Sequence, residues 1–175
     1  VGSEMCIRDS NMASSIQLSL QMQKGSKADG TLGYMTEEQY EQLVNSDFVE
    51  QAGHRRIIGY ASNTSSHSIE INYADSVQQE LTFCVPTHGA APEKANEIAT
   101  TDLALKALGV EPEIGAEVPL EFELRGKTYH YDMVLSGWWE ASNDSVSVAT
   151  VSEQFIKENP DVVQNTYAVD HETSG

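Results

Sequence analysis

Serine, histidine, cysteine and the carboxylates are the side chains from which a chain builds a nucleophile, a general acid–base pair or a metal centre. This sequence spaces them for none of these. Its five histidines, His54, His67, His88, His130 and His171, include no HxH or HExxH pair and no cysteine partner. His130, between Tyr129 and Tyr131, reads as the outward residue of a strand. Ser136-Gly137 and Ser152 are not set in a G-x-S-x-G elbow. Gly53 and Gly59 are isolated, and Lys127 follows no glycine-rich run, so no phosphate loop is present. Of the carboxylate pairs, Glu37/Glu38 belongs to a helix start and Glu121/Glu123 to the exposed face of a strand; among 27 acidic residues such pairs arise by chance. Of the two cysteines, Cys6 lies in an aperiodic N-terminal stretch. Cys84 stands in the apolar run Leu81–Val85 and reads as a buried small hydrophobe. No catalytic, cofactor-binding or metal-ligating residue is assigned, and no cofactor. The most unusual local feature is Trp138-Trp139-Glu140. Neighbours on a strand point to opposite faces, so one Trp enters the core and the other is exposed or packs on a neighbour.

Composition narrows the partners. Ten Lys and Arg against 27 Asp and Glu give a formal net charge of −17 over 175 residues. That balance argues against nucleic acid and anionic membrane surfaces, which select basic patches. A hydrophobic share of 39% is enough for a packed core. No apolar run reaches the roughly 18–20 residues that cross a bilayer, and no secretory leader is visible.

The elements that would position these residues follow from periodicity. Residues 1–10 have no amphipathic period and read as adapter read-through or disorder, outside the fold. Asn11–Lys24 is expected to be a polar stalk helix and Gly25–Gly33 a flexible link. Thr36–Asn45 carries a capping box, Thr36 with Gln39, and reads as a helix. Arg55–Ala61 and His67–Tyr73 read as strands that can pair as a hairpin, followed by a turn or two of helix within 74–79. Thr87–Pro92 is a loop, Asn96–Ala99 opens a short strand, and Thr101–Leu108 is a helix stopped by Gly109. The clearest hairpin joins Val118–Leu124 to Thr128–Trp138 through Arg125-Gly126-Lys127. A strand over Val146–Val151 precedes a helix opening at Ser152 and stopped by Asn159-Pro160. Beyond it, 161–175 reads as a polar tail with a strand near 162–163 or 166–169. About three short helices and six or seven strands in mixed order predict an α+β fold with a mixed or antiparallel sheet.

The order of these pieces resembles the extracytoplasmic, MacB-like periplasmic core domain of FtsX/MacB-like ABC transporter permeases, especially those of Firmicutes. The marks are Met35–Tyr40 as an "LTxEQY"-like helix start, and Pro86, Thr87, Gly89 and Pro92 as "PTxGxxP". They continue with the "NEIA" strand Asn96–Ala99, Leu108-Gly109, and Ile114-Gly115 with Val118, Leu120 and Phe122. Leu135–Glu140 as "LSGWWE" and the closing Val151-Ser152 complete the set. Departures fall at Ala91 and Thr100-Thr101, both packing positions.

The resemblance implies an extracytoplasmic α+β domain over residues 34–160 at the outer face of the cell membrane. Residues 11–33 become a stalk extending a preceding membrane span, and 161–175 leads toward further spans. The implied partners are those spans, a cytoplasmic ABC ATPase, a second permease in a dimeric transporter, and a peptide or lipoprotein substrate. The implied role is mechanical coupling of ATP hydrolysis to transport or signalling, without enzyme activity. The alternative is a free-standing secreted ligand-binding or adhesion module; a small hydrolase is a third reading with no motif behind it.

Overall fold

The computed structural model describes residues 17–20, 30–33, 37–47, 51–64, 66–142, 146–164 and 168–174. The chain divides into two compact units. One comprises Val1–Arg55, Asp75–Phe83 and Ala168–Gly175, the other Arg56–Ala74 and Cys84–Tyr167.

In the first unit, β1 (Gln17–Leu20) pairs antiparallel with β2 (Gly30–Gly33), which pairs antiparallel with β10 (Ala168–Ser174). Three expectations change here. Gln17–Leu20 is strand where a stalk helix was expected, and its apolar residues explain why: Ile16, Leu18, Leu20 and Met22 recur every second position, the period of a strand. The rest of 11–24 lies outside the described residues. Gly30–Gly33, expected as link, is strand, and within the expected polar tail Ala168–Ser174 is strand. The helix Glu37–Val44 lies where its capping pattern put it, with Thr36 itself outside the described residues. A second helix, Ser76–Leu81, is capped by Asp75, whose carboxylate accepts the Gln78 amide at 2.8 Å.

The second unit holds the core. The end of β3 (Gln51–Tyr60) neighbours β4 (Ser68–Ala74), which pairs in parallel with β9 (Val146–Val151). Next comes β6 (Glu97–Thr101), antiparallel to β9 and parallel to β8 (Lys127–Trp139). On its other side β8 pairs antiparallel with β7 (Glu117–Leu124) and, further along, with β5 (His88–Gly89). The chain leaving β3 then meets the outer edge of β7. Ala61 bridges Phe122, and the Ser62 amide donates to the Glu121 carbonyl at 2.8 Å. The mixed sheet thus curls toward closure and β7 is not left as an open edge.

The β7–β8 hairpin turns on Arg125 and Gly126, with φ of 49° and 80°. Two consecutive left-handed residues are the signature of the two-residue turn that matches strand twist, and glycine takes the second position without strain. Val118, Leu120, Phe122 and Leu124 point inward and are fully buried, as the alternation predicts. They join Ile58, Ile69, Ile71, Ile98, Met133, Leu135 and Val151 in one cluster. Phe122 stacks on Tyr129 at 5.4 Å between centroids, and Tyr131 meets the edge of Phe155 at 5.0 Å. Burial, with the nearby Tyr129 and Asp161, pushes the Tyr131 hydroxyl above its ordinary 10.0.

Helices Asp102–Leu108 and Glu153–Glu158 are capped by Thr101 and Ser152. Pro160 ends the latter and restarts a short helix, Pro160–Gln164, so Val162 is helical and buried rather than in a strand. Cys84 is half-buried and forms no disulfide. The run 81–85 is no strand: it turns at Phe83, with φ 56°, and leaves Val85 exposed. Phe122 is one of the two largest fully buried side chains of this cluster. Phe122→Ala is expected to lower unfolding free energy by about 3–5 kcal/mol, read as a fall in the urea midpoint.

Candidate functional site

Two polar constellations stand out in the second unit, one buried and one exposed. The buried one is built where β4, β9 and β6 lie side by side. Ser147 on β9 reaches His67, just ahead of β4, with Oγ 2.6 Å from Nε2. On its other side Ser147 meets the hydroxyl of Thr101 at the end of β6. Thr101 Oγ1 accepts the Ala104 amide at 3.1 Å, capping the helix Asp102–Leu108. One arrangement satisfies every hydroxyl: Thr101 donates to Ser147, and Ser147 donates to the bare Nε2 of His67. The spacing of 80 residues hides this Ser–His pair from any linear motif. Its signal in the sequence was only that Ser147 falls on the inward phase of a strand.

A serine bonded to a histidine invites comparison with a nucleophile and its base. Here all three side chains are buried, His67 at 8%, Thr101 at 4% and Ser147 at 3% exposure. The Ser147 hydroxyl is spent on its two partners, and the trio works as a clip holding three strands and a helix start together. Two threonines extend it: Thr100 donates to the Val148 carbonyl at 2.9 Å, and Thr150 to Asn72 Oδ1 at 3.1 Å. Thr100-Thr101 is thereby the polar seam between β6 and β9.

The exposed constellation lies where β5 meets the end of β8. His88 pairs with Trp138 in register, and their rings stack at 3.8 Å between centroids with 9° between planes. Glu140 closes over the pair. Its Oε1 lies 3.0 Å from His88 Nε2, and its Oε2 accepts the Thr87 hydroxyl at 2.9 Å. These bonds, with the Glu140 backbone amide, hold its carboxyl below the usual carboxylate value, the His88 bond contributing most. Asp102 fixes the chain just beyond: its Oδ1 accepts the Ala141 amide at 2.9 Å and that of Leu103 at 2.8 Å. The approach of β5 needs glycine on β8. A Cβ at Gly137 would lie 2.5 Å from the Ala90 carbonyl oxygen and 2.8 Å from Pro86 Cβ.

The remaining side chains singled out by their chemistry fall as follows. Trp139 is buried and Trp138 is half-buried under His88, which resolves the tandem as one core residue and one packed on a neighbour. His130 points outward beside Asp132 at 3.2 Å and Glu121 at 3.9 Å. Ser152 caps a helix, its hydroxyl donating to the Lys94 carbonyl at 2.8 Å. Glu121 and Glu123 lie on the outer side of β7. Among the described residues no three His, Cys, Asp or Glu side chains are placed to hold a metal ion, and no helix is long and apolar enough to cross a membrane.

Three outcomes check this geometry. Ser147→Ala leaves Thr101 and His67 short of a partner and is expected to cost about 1–3 kcal/mol of stability, whereas the exposed Ser68→Ala stays within about 0.5 kcal/mol; chemical denaturation separates the two. Gly137→Ala is expected to push Pro86–Ala90 off β8 and undo the His88–Trp138 stack, read as altered Trp emission and near-ultraviolet dichroism with the far-ultraviolet spectrum retained. The folded pKa of Glu140 lies below its unfolded value. The clasp is therefore complete above that unfolded value and is lost as pH falls through the lower folded one, below pH 4.5. Because the carboxylate is exposed, the expected readout is the Trp138 signal over that window rather than global stability.

No protein-family model matches the chain, and no curated protein matches it. Among solved structures, a domain of a protein described as a permease from Porphyromonas gingivalis overlaps 73% of this chain and 56% of its own, at 10% identity and a TM-score of 0.44. The extracellular domain of the noncanonic ABC-type transporter YknZ from Gram-positive bacteria overlaps 81% of this chain and 74% of its own, at 15% identity and a TM-score of 0.51. The chain therefore has the α+β fold of an ABC-transporter extracellular domain, the fold to which the order of its sequence marks pointed.

Proposed function

We propose that this chain is the extracytoplasmic domain of an FtsX/MacB-like ABC transporter permease, and that it works by binding and mechanical coupling rather than by catalysis. The observation that carries the reading is the overlap of its fold with the YknZ extracellular domain over 81% of the chain. Two features agree with it. The marks of the family resemblance fall on positions that build the fold: Pro86–Gly89 against β8, Glu97–Ala99 on β6, and Leu135–Trp139 on β8. The one Ser–His pair described is sealed inside the sheet.

In this reading residues 34–160 form the domain on the outer side of the cell membrane, with 11–33 and 161–175 leading toward membrane spans. A cytoplasmic ATPase supplies the energy, and two permeases form the transporter. The physical basis for a lever is the close-packed sheet. A dense core with buried polar clips resists local deformation, so a displacement applied at one end moves the whole. The cargo would be a peptide or a lipoprotein.

The test is the complete reading frame expressed with the ATPase encoded beside it. Glu123→Cys places a thiol on the exposed face of β7, and a membrane-impermeant maleimide is expected to label it in intact cells. The ATP turnover of the reconstituted pair is expected to fall when β8 is disrupted by Leu135→Asp. A frame with no membrane-crossing stretch on either side, and secretion of the product into the medium, would overturn the proposal in favour of a secreted binding module.

A further inference from the structure

Around β5 the second unit presents apolar surface with carboxylates about it. Ile114 is 54% exposed and Val85 44%, both large for residues of their type. Ile114 lies against β5: its Cδ1 is 2.6 Å from where a Cβ on Gly89 would sit. Exposed Ala90 and Ala91 continue the surface, with the His88–Trp138 stack beside them. The segments that build this corner, 84–94, 110–115 and 137–140, contain four carboxylates, Glu93, Glu111, Glu113 and Glu140, against one cation, Lys94. All four carboxylates are exposed.

We infer that this corner is a docking surface for a basic, apolar segment of a partner polypeptide. Its apolar side chain would rest on Ile114 and its cationic side chains would meet Glu111, Glu113 and Glu93. Charge decides between the occupants. A second copy of this chain brings another −17 and the same four carboxylates to the contact, which repels. Strand pairing between copies is also disfavoured, because β5 is two residues long, lies between Pro86 and Pro92, and bends at Gly89 with φ 74°. A cationic partner meets the opposite balance: attraction on approach from the carboxylates, then burial of Ile114. The inference stands on the surface alone and does not depend on the transporter reading.

The test uses the 175-residue chain and two fluorescein-labelled ten-residue peptides of equal charge, one alternating Lys with Leu and one alternating Lys with Ser. Anisotropy titrations at low and high salt are read together with Trp emission. The Lys–Leu peptide is expected to bind at least about tenfold tighter than the Lys–Ser peptide, the difference that burying an aliphatic side chain supplies. Ile114→Ser is expected to remove most of that difference. The double change Glu111→Gln, Glu113→Gln is expected to weaken binding several-fold and flatten its salt dependence. Ile114 and both glutamates are exposed, so these variants keep the fold. Equal binding of the two peptides, or unchanged binding by Ile114→Ser, would overturn the inference. So would an equal loss from Glu121→Gln, Glu123→Gln on the β7 face, since binding would then follow net charge rather than this corner.

Discussion

The second unit depends on β8 finding partners along its whole length. It runs for thirteen residues, from Lys127 to Trp139, well beyond an average strand of five or six. A strand placed centrally must satisfy its backbone groups on both edges or leave them buried and unpaired, at a cost of about 1–3 kcal/mol each. No single neighbour here is long enough. β7 serves one edge from Lys127 to Val134, β5 resumes that edge at Gly137 and Trp138, and β6 serves the other edge from Val134 to Trp139. In the gap on the first edge, Leu135 and the loop before β7 exchange bonds directly, Gly115 donating at 2.8 Å and Ala116 accepting at 2.9 Å.

That division explains the placement of the two polar constellations. β6 is buried along four of its five residues, because β8 and β9 flank it and the helix Asp102–Leu108 packs against it, and a strand in that position has no room for solvated groups. Its hydroxyls at Thr100 and Thr101 are therefore turned into bonds across to β9 rather than left to water. At the other edge the pairing is two residues long and would hold β5 weakly by itself. The stack of His88 on Trp138 and the Glu140 clasp add the fixation that so short a ladder lacks.

Local rules made much of this legible in the sequence. Strict alternation from Val118 to Leu124 set the inward face of β7, and a two-residue turn with glycine set its pairing with β8. The sequence pattern placed helix starts at Thr101 and Ser152, where the structure has the caps. The sequence also showed that one of two adjacent tryptophans must leave the core. What it did not show were contacts made across long separations. The parallel pairing of β4 with β9 joins residues nearly eighty apart, and the His67–Ser147 bond depends on it. Near the N-terminus the period-two apolar residues from Ile16 to Met22 were outweighed by their glutamines and serines, which suggested a solvated helix; pairing with β2 satisfies the same pattern as an edge strand. Gly30–Gly33 escaped notice because glycine is a poor strand former, and only its partners β1 and β10 make it one.

The exposed site owes its existence to the change of partner along β8. Where β7 gives way to β5 the edge must admit a new backbone at close range, and Gly137 is the residue that permits it. The backbone so admitted brings His88 against the ring of Trp138, and the two stack. The imidazole then needs a hydrogen-bond partner, and the chain supplies Glu140 two residues beyond Trp138, held in place because the next amide, of Ala141, is tied to Asp102 at the helix start. Packing, not chemistry, thus brought an aromatic stack and a carboxylate together at the surface. The same break in the ladder turns Ile114, on the loop that precedes β7, against Gly89 rather than into the core. Both the clasp and the exposed Ile114 follow from how one long strand shares its edges.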